Sequence, residues 1–200
     1  MPAPNQAAFD FLMTRRSRPA KLFTPPVPDR DALLHILTAA TRVPDHGKLE
    51  PWRLVVIEKP AFARLADLAE ARAVELGADA ERTAKGRGQY DLGHLAVVVI
   101  SAPKAAEKVP VSEQLLSAGA LCFGIVNAAT AAGWGASWLT GWPAHDPVFR
   151  ARAFGCTATE TVAGIIHIGT PPADAPANSP DRTPDRPRPD LSRLVAWVQA

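Results

Sequence analysis

Thr41-Arg-Val-Pro-Asp-His-Gly-Lys-Leu-Glu-Pro-Trp-Arg-Leu-Val-Val-Ile-Glu58 is the stretch on which the reading of this chain turns. It begins where an apolar helical pattern stops, crosses a polar loop and enters a β-branched run. Pro44 and Pro51 fix φ on either side of the loop, and Gly47 supplies backbone freedom between them. Two cations (Arg42, Lys48), an imidazole (His46) and an indole (Trp52) are thereby held in one short, restrained segment. Such a segment suits an anion that carries an aromatic part; a purely structural polar loop is the competing reading.

Upstream, residues 5–14 read as a short amphipathic helix that delivers Arg15-Arg16-Ser17-Arg18 at its end, where Pro19 stops it. Three arginines there complement the helix dipole and also form a compact anion-binding cluster. Asp29 then caps a helix through Thr41, with Leu33, Leu34, Ile36 and Leu37 on its buried side. Downstream, Arg53–Glu58 is a strand whose unbroken Leu-Val-Val-Ile predicts burial on both faces. Pro60 opens a helix to about Leu76, closed by Gly77 as the C′ residue.

Residues 79–93 are polar and glycine-bearing and read as a mobile loop; Leu95–Ile100 is a second buried strand. Pro110–Ala132 is a long helix, uncharged from Gln114 onward and rich in Ala, Gly and Ser. It is long enough for a bilayer, but it carries Asn127 and no flanking Lys/Arg cluster, so burial on all sides within a soluble assembly is the better account. A chain of 200 residues has limited material to cover it, which favours a second subunit as the missing cover. Trp134–Thr140 and Thr161–Gly169 are further strands, and Asp146-Pro147 starts a helix that Gly155 ends. Residues 170–190 hold much of the proline and read as an extended arm, ending in an apolar docking segment at 191–198.

Net charge is +2, with 22 basic against 20 acidic residues, so no nucleic-acid face is implied. Cys122 and Cys156 lack metal-site or disulfide spacing, and no apolar leader follows the N-terminal charges, which makes a cytoplasmic protein the default. Gly133-Trp134-Gly135 puts Trp138 where a dinucleotide fingerprint needs glycine, and no Walker A, H-E-x-x-H or G-x-S-x-G is present. His35, His94, His145 and His167 read as structural rather than as ligands. No metal set and no nucleophile–base pair emerge. Arginines, a loop histidine and hydroxyls bind a phosphorylated, conjugated group that itself supplies the reactivity.

Arg15-Arg16-Ser17, Arg42-x-Pro-Asp-His46 with Pro51-Trp52, Gly133-Trp134-Gly135-x-x-Trp138-x-Thr140-Gly141, and Ile168-Gly169-Thr170-Pro171 occur in that order. In this pattern, over roughly residues 6–172, the chain resembles the FMN-dependent nitroreductase family, closest to its small single-domain bacterial members. The resemblance implies an α+β, three-layer α-β-α sandwich with a central mixed, mainly antiparallel sheet. It implies an intertwined homodimer with FMN at the subunit interface. Residues 1–170 would form the FMN-binding domain and 171–200 a Pro-rich arm docking on the partner.

Carried over by position, Arg15, Arg16 and Ser17 would contact FMN, and Arg42 and His46 would reach it from the other subunit. Trp138, Leu139 and Thr140 would line the flavin, partly through backbone. Ala128, Ala129, Thr130, Ala131, Ala132 and Gly133 match a stretch associated with the nicotinamide nucleotide. Arg182, Arg186 and Arg188 are alternatives for a C-terminal phosphate contact. The implied activity is an NAD(P)H oxidoreductase working by ping-pong hydride transfer through flavin N5. NADH or NADPH is the co-substrate, and nitroaromatics, quinones or activated alkenes are the acceptors, with no catalytic side chain and no metal. The alternative is a flavin-binding module for storage, sensing or flavin fragmentation, with little NAD(P)H turnover. Neither nucleic acid nor membrane is expected as a partner.

Overall fold

Unbroken β-branched runs need cover on both faces, and two strands receive it. β2 (Leu95–Ser101) is buried throughout, and β4 (Thr161–Gly169) is buried from Gly164 onward. The computed structural model, which describes residues 3–173 and 187–198, sets them side by side at the centre of a sheet. Its order is β1-β2-β4-β3, with β1 (Trp52–Glu58) and β3 (Gly135–Leu139) at the edges. Every pairing between these strands is antiparallel, so the described residues supply the antiparallel part of the expected sheet. A register shift pairs Val99 with Gly164 but Ile100 with Val162, which leaves Ala163 as an extra, bulged residue.

Helices α2 (Arg30–Ala40) and α5 (Val111–Ala131) cover one face, closing a core of Leu33, Ile36, Val97, Val99, Leu121, Ile125 and Ile166. Helices α3 (Lys59–Glu75), α4 (Ala80–Asp91), α6 (Trp142–His145) and α7 (Pro147–Phe154) cover the other, around Phe62, Tyr90, Val98, Phe149 and Ile165. The result is the α-β-α layering and α+β class expected. The caps are those the residue types demand. Asp29 accepts from Ala32 N at 2.8 Å, Asp146 accepts from Phe149 N at 2.7 Å, and Gly155 ends α7 with φ +64°.

Four expectations are corrected. Residues 79–93 do not form a loop, since most of them make α4. Asp79 caps it by accepting from Arg82 N at 2.7 Å, Tyr90 is fully buried, and Arg87 donates to Asp67 at 2.8 Å. At Gly86 a Cβ would come within 2.5 Å of the Trp142 ring, whose Nε1 donates to Arg82 O at 2.9 Å. Tertiary contacts therefore hold a helix that its composition alone does not promise. β1 is an edge strand rather than one buried on both faces, and its Val56 is exposed. Leu34 is exposed too, and with Val56 lines an apolar groove of about 220 Å³ between α2 and that edge.

α5 is not covered on all sides. Leu121, Cys122, Ile125 and Ala129 face the sheet, and Gly124 admits α2 so closely that a Cβ would meet Ala40 O at 2.7 Å. Val111, Leu115, Leu116 and Phe123 lie open, Leu116 at 72% exposure. By length and composition α5 could cross a membrane, yet its inner side is packed on β2, β3, β4 and α2. The N-terminal helix α1 (Gln6–Thr14) buries no residue at all. Most of the expected arm lies outside the described residues; 187–198 expose Leu191, Leu194, Val195, Trp197 and Val198.

Candidate functional site

α1 ends at Arg15, whose N–H closes the last turn on Phe11 O at 2.8 Å before the chain turns extended. The half-buried Arg15 guanidinium stacks over Phe123 of α5, 5.5 Å from the ring centre. Its Nε is sealed from solvent and has no hydrogen-bond partner among the described residues. Burial, and then the charge of nearby Arg188, push its pKa down. Arg188 lies near enough for its charge to be felt at Arg15, so two guanidinium groups share a neighbourhood that suits an anion. Arg16 and Arg18 are half-buried and engaged in contacts of their own, and Ser17 is exposed. Of the three C-terminal arginines weighed from sequence, Arg188 is the one found beside Arg15; Arg182 and Arg186 lie outside the described residues.

The segment after these arginines forms one wall of a cavity of about 380 Å³. Pro19, Ala20 and Lys21 face Lys85, Gly88, Gln89 and Leu92 of α4, with Leu139 of β3 and His167 of β4 completing it. Gln89 Oε1 is buried without a partner, and the His167 imidazole is held down at about pH 4 by burial and so stays neutral. An apolar wall with a few polar groups and two flanking ammonium groups accommodates a planar, polar-edged ring.

The 42–52 loop is anchored elsewhere. Gly47, Lys48 and Glu50 all have positive φ (+76°, +54° and +46°), a strained path that Asp45 ties down by accepting from Leu49 N and Glu50 N. His46 Nδ1 pairs with Glu113 Oε2 at 2.7 Å in the first turn of α5, and Arg42 is exposed. Trp52 is turned inward, its Nε1 donating to Ser117 Oγ at 3.1 Å, so it belongs to the fold rather than to a ligand surface. Glu113 and Phe123 are ten residues apart on α5, about 15 Å along its axis at ~1.5 Å per residue. One chain therefore keeps His46 and Arg15 apart.

The β3 residues divide. Leu139 lines the cavity. Trp138 points to the α5 face, its indole so close over Gly164 that a Cβ there would lie 2.2 Å from Nε1, beside Cys122. Thr140 is exposed just past the strand. Ala128, Ala129, Thr130, Ala131, Ala132 and Gly133 form the end of α5 and its turn, with Gly133 at φ +87°, and none of them lines the cavity. Sequence reasoning missed Lys21, Lys85, Gln89 and His167. The signal lay in 79–93: Lys85, Gly88, Gln89 and Leu92 fall at i, i+3, i+4 and i+7, one stripe of a helix.

Three comparisons with known proteins bear on the site. The Nitroreductase family model matches residues 12–170. YdjA of Escherichia coli (strain K12), provisionally named an NAD(P)H nitroreductase, is 35% identical over 164 residues, which cover 82% of this chain and 88% of that protein. Among solved structures, a nitroreductase-like family protein from Bacillus cereus superposes with a TM-score of 0.75 at 19% identity, covering all of both chains. A Desulfovibrio desulfuricans protein provisionally named a nitroreductase, solved in complex with FMN, superposes with a TM-score of 0.69 at 19% identity over 100% of this chain and 99% of that one.

Proposed function

We propose, from the premise that this chain belongs to the nitroreductase family, that it is an FMN-dependent NAD(P)H oxidoreductase acting as an intertwined homodimer. The observation that carries the reading is the half-buried Arg15, its Nε without a partner among the described residues and the charge of Arg188 felt at it, four residues before the cavity wall that begins at Pro19. The residues fit FMN. A dianionic phosphate answers two guanidinium groups and the Ser17 hydroxyl, and the cavity answers a flat ring with a polar edge. The FMN named in the Desulfovibrio desulfuricans structure and the NAD(P)H in the YdjA name support the same assignment.

In this reading Arg15, Arg16, Ser17 and Arg188 hold the phosphate. Leu139 gives the ring an apolar wall, and the backbone around residues 138–140 offers donors and acceptors to its edge. Lys21 and Lys85 place positive charge beside the cavity, where it favours electron uptake. When bound, FMN supplies the hydride relay at N5, from NAD(P)H to an electron-poor acceptor such as a nitroaromatic, quinone or activated alkene. No side chain of the cavity is needed as nucleophile. The end of α5, from Ala128 to Gly133, contributes to binding the nicotinamide nucleotide.

The second copy answers two features at once. His46, paired with Glu113, is held about 15 Å along α5 from Phe123 and Arg15, so it is assigned, with the exposed Arg42, to the ligand of the partner rather than to its own. The open faces of α1 and α5 and the exposed Trp197 (86%) need cover, which a two-fold partner and its arm (residues 171–200) provide. The test is direct. The purified protein is yellow or takes up FMN, elutes as a dimer, and its flavin absorbance bleaches promptly on anaerobic addition of NADH or NADPH. A colourless protein that FMN cannot reconstitute overturns the reading. Flavin uptake without bleaching turns it into a binding module.

A further inference from the structure

The cavity beside α4 is lined by two neutral polar side chains, His167 and Gln89. His167, on β4, is 5% exposed, lines the cavity and rests against the Phe62 ring with centroids 5.9 Å apart. Gln89 lines the same cavity from α4, its Oε1 sealed and unpartnered. An unmet acceptor in the interior, such as Gln89 Oε1, costs stability. A ligand in the cavity that carries a donor accounts for it, and the same ligand meets His167.

The ring system assigned above has matching chemistry. Its pyrimidine edge sets one N–H between two carbonyl oxygens. A neutral imidazole has one donor and one acceptor, and a carboxamide has two donor hydrogens and one acceptor oxygen. The charged groups of the cavity, Lys21 and Lys85, are donors only and cannot serve the N–H. Resting on the reading that FMN occupies this cavity, we propose that His167 is a flavin-binding residue, a neutral hydrogen-bonding group for the pyrimidine edge of the isoalloxazine, with Gln89 acting beside it. Burial keeps the imidazole uncharged at neutral pH, so it can give or take a hydrogen bond without bringing a charge.

The experiment titrates apoprotein with FMN and, separately, with lumiflavin, which keeps the ring and lacks the ribityl phosphate, following quenching of flavin fluorescence. His167→Phe weakens both ligands by about tenfold, the loss of roughly one buried hydrogen bond. His167→Gln restores a donor and an acceptor and stays within about threefold of wild type. Gln89→Leu weakens both in the same sense, and carries the comparison should His167→Phe not fold. Arg15→Ala weakens FMN and leaves lumiflavin unchanged, which separates ring recognition from phosphate recognition. Unchanged binding of both ligands by folded His167→Phe, or equal loss in His167→Phe and His167→Gln, overturns the proposal while the wild-type chain still binds FMN. A wild-type chain that binds neither ligand overturns the FMN assignment itself, and this proposal with it.

Discussion

The two faces of the sheet are finished to different degrees. On the side of α3, α4 and α7, Phe62, Leu65, Tyr90 and Phe149 are all but inaccessible, and Phe149 meets Phe154 edge-on at 5.9 Å. Ionic clamps close that side: Arg72 donates to Asp146 and Glu75, and Arg53 forks onto Glu160 at 2.7 and 3.0 Å. On the side of α5, the layer next to the sheet is packed just as tightly. Its outer surface, by contrast, shows Leu115, Leu116 and Phe123, and α1, whose end brings Arg15 to Phe123, exposes Phe9, Leu12 and Met13. The first face is complete within one chain. The second is a surface with the composition of an interior, and it carries Arg15 and the His46–Glu113 pair. Arg15 and His46 stand on the open surface, while Lys21 and Lys85 flank the cavity on the α4 side.

That contrast can be broken, starting from its largest effect. Phe149→Ala removes a fully buried ring from the finished face and is expected to cost about 3–5 kcal/mol in urea-induced unfolding. A loss below about 1 kcal/mol would mean that this core is not as closed as it looks. Leu116→Asp tests the unfinished face. It should leave the far-ultraviolet circular dichroism of the protomer intact yet shift sedimentation from dimer to monomer, since an unpaired charge buried at an interface costs about 3 kcal/mol or more, roughly a hundredfold in association. An unaffected dimer would put the interface elsewhere.

Smaller effects sharpen the comparison. Arg15→Ala should weaken FMN by about tenfold to a hundredfold, with Ser17→Ala the milder of the two, as expected for losing about 1.5–3 kcal/mol in a hydrogen bond to a charged group. Equilibrium dialysis measures both, and the reverse ranking would argue against Arg15 on the phosphate. The smallest effect is a pH dependence on the finished face. Hydrogen bonds from Arg53 hold the Glu160 carboxyl down at about 2, below its ordinary 4.5. A depressed folded-state value contributes stability that is present above about pH 4.5 and is lost as pH falls towards 2. Glu160→Gln should therefore lower the melting temperature at pH 7 and flatten its decline between pH 5 and about pH 2.5. An unchanged slope would mean that the clamp contributes nothing in solution.

The site was legible in the sequence only in part. Leu139 lines the cavity, and Arg15 stacks over Phe123 with the charge of Arg188 felt at it. Trp52 and Trp138 look alike in a sequence, as large rings near a polar loop, yet Trp52 packs against α5, whereas Trp138 lies over Gly164 and stays 41% exposed. Lys85 and Gln89 were hidden because residues 79–93 have the composition of a loop, and only Tyr90 in the core and Trp142 over Gly86 make them a helix. Arg188 was one of three equal candidates until the chain brought it beside Arg15.

What the residues determine unaided is local. Asp29 and Asp146 start helices and Gly155 ends one because a carboxylate answers the backbone donors of the residues just after it and glycine accepts a left-handed turn at no steric cost. The β-branched runs at Leu95–Ser101 and Thr161–Gly169 must be strands because their side chains pack on a pleated surface. Which strand becomes the edge, whether a polar stretch is held as a helix, and which polar groups close round a cavity depend on neighbours far away in the chain. Burial is set by those distant segments, so tertiary structure alone decided them.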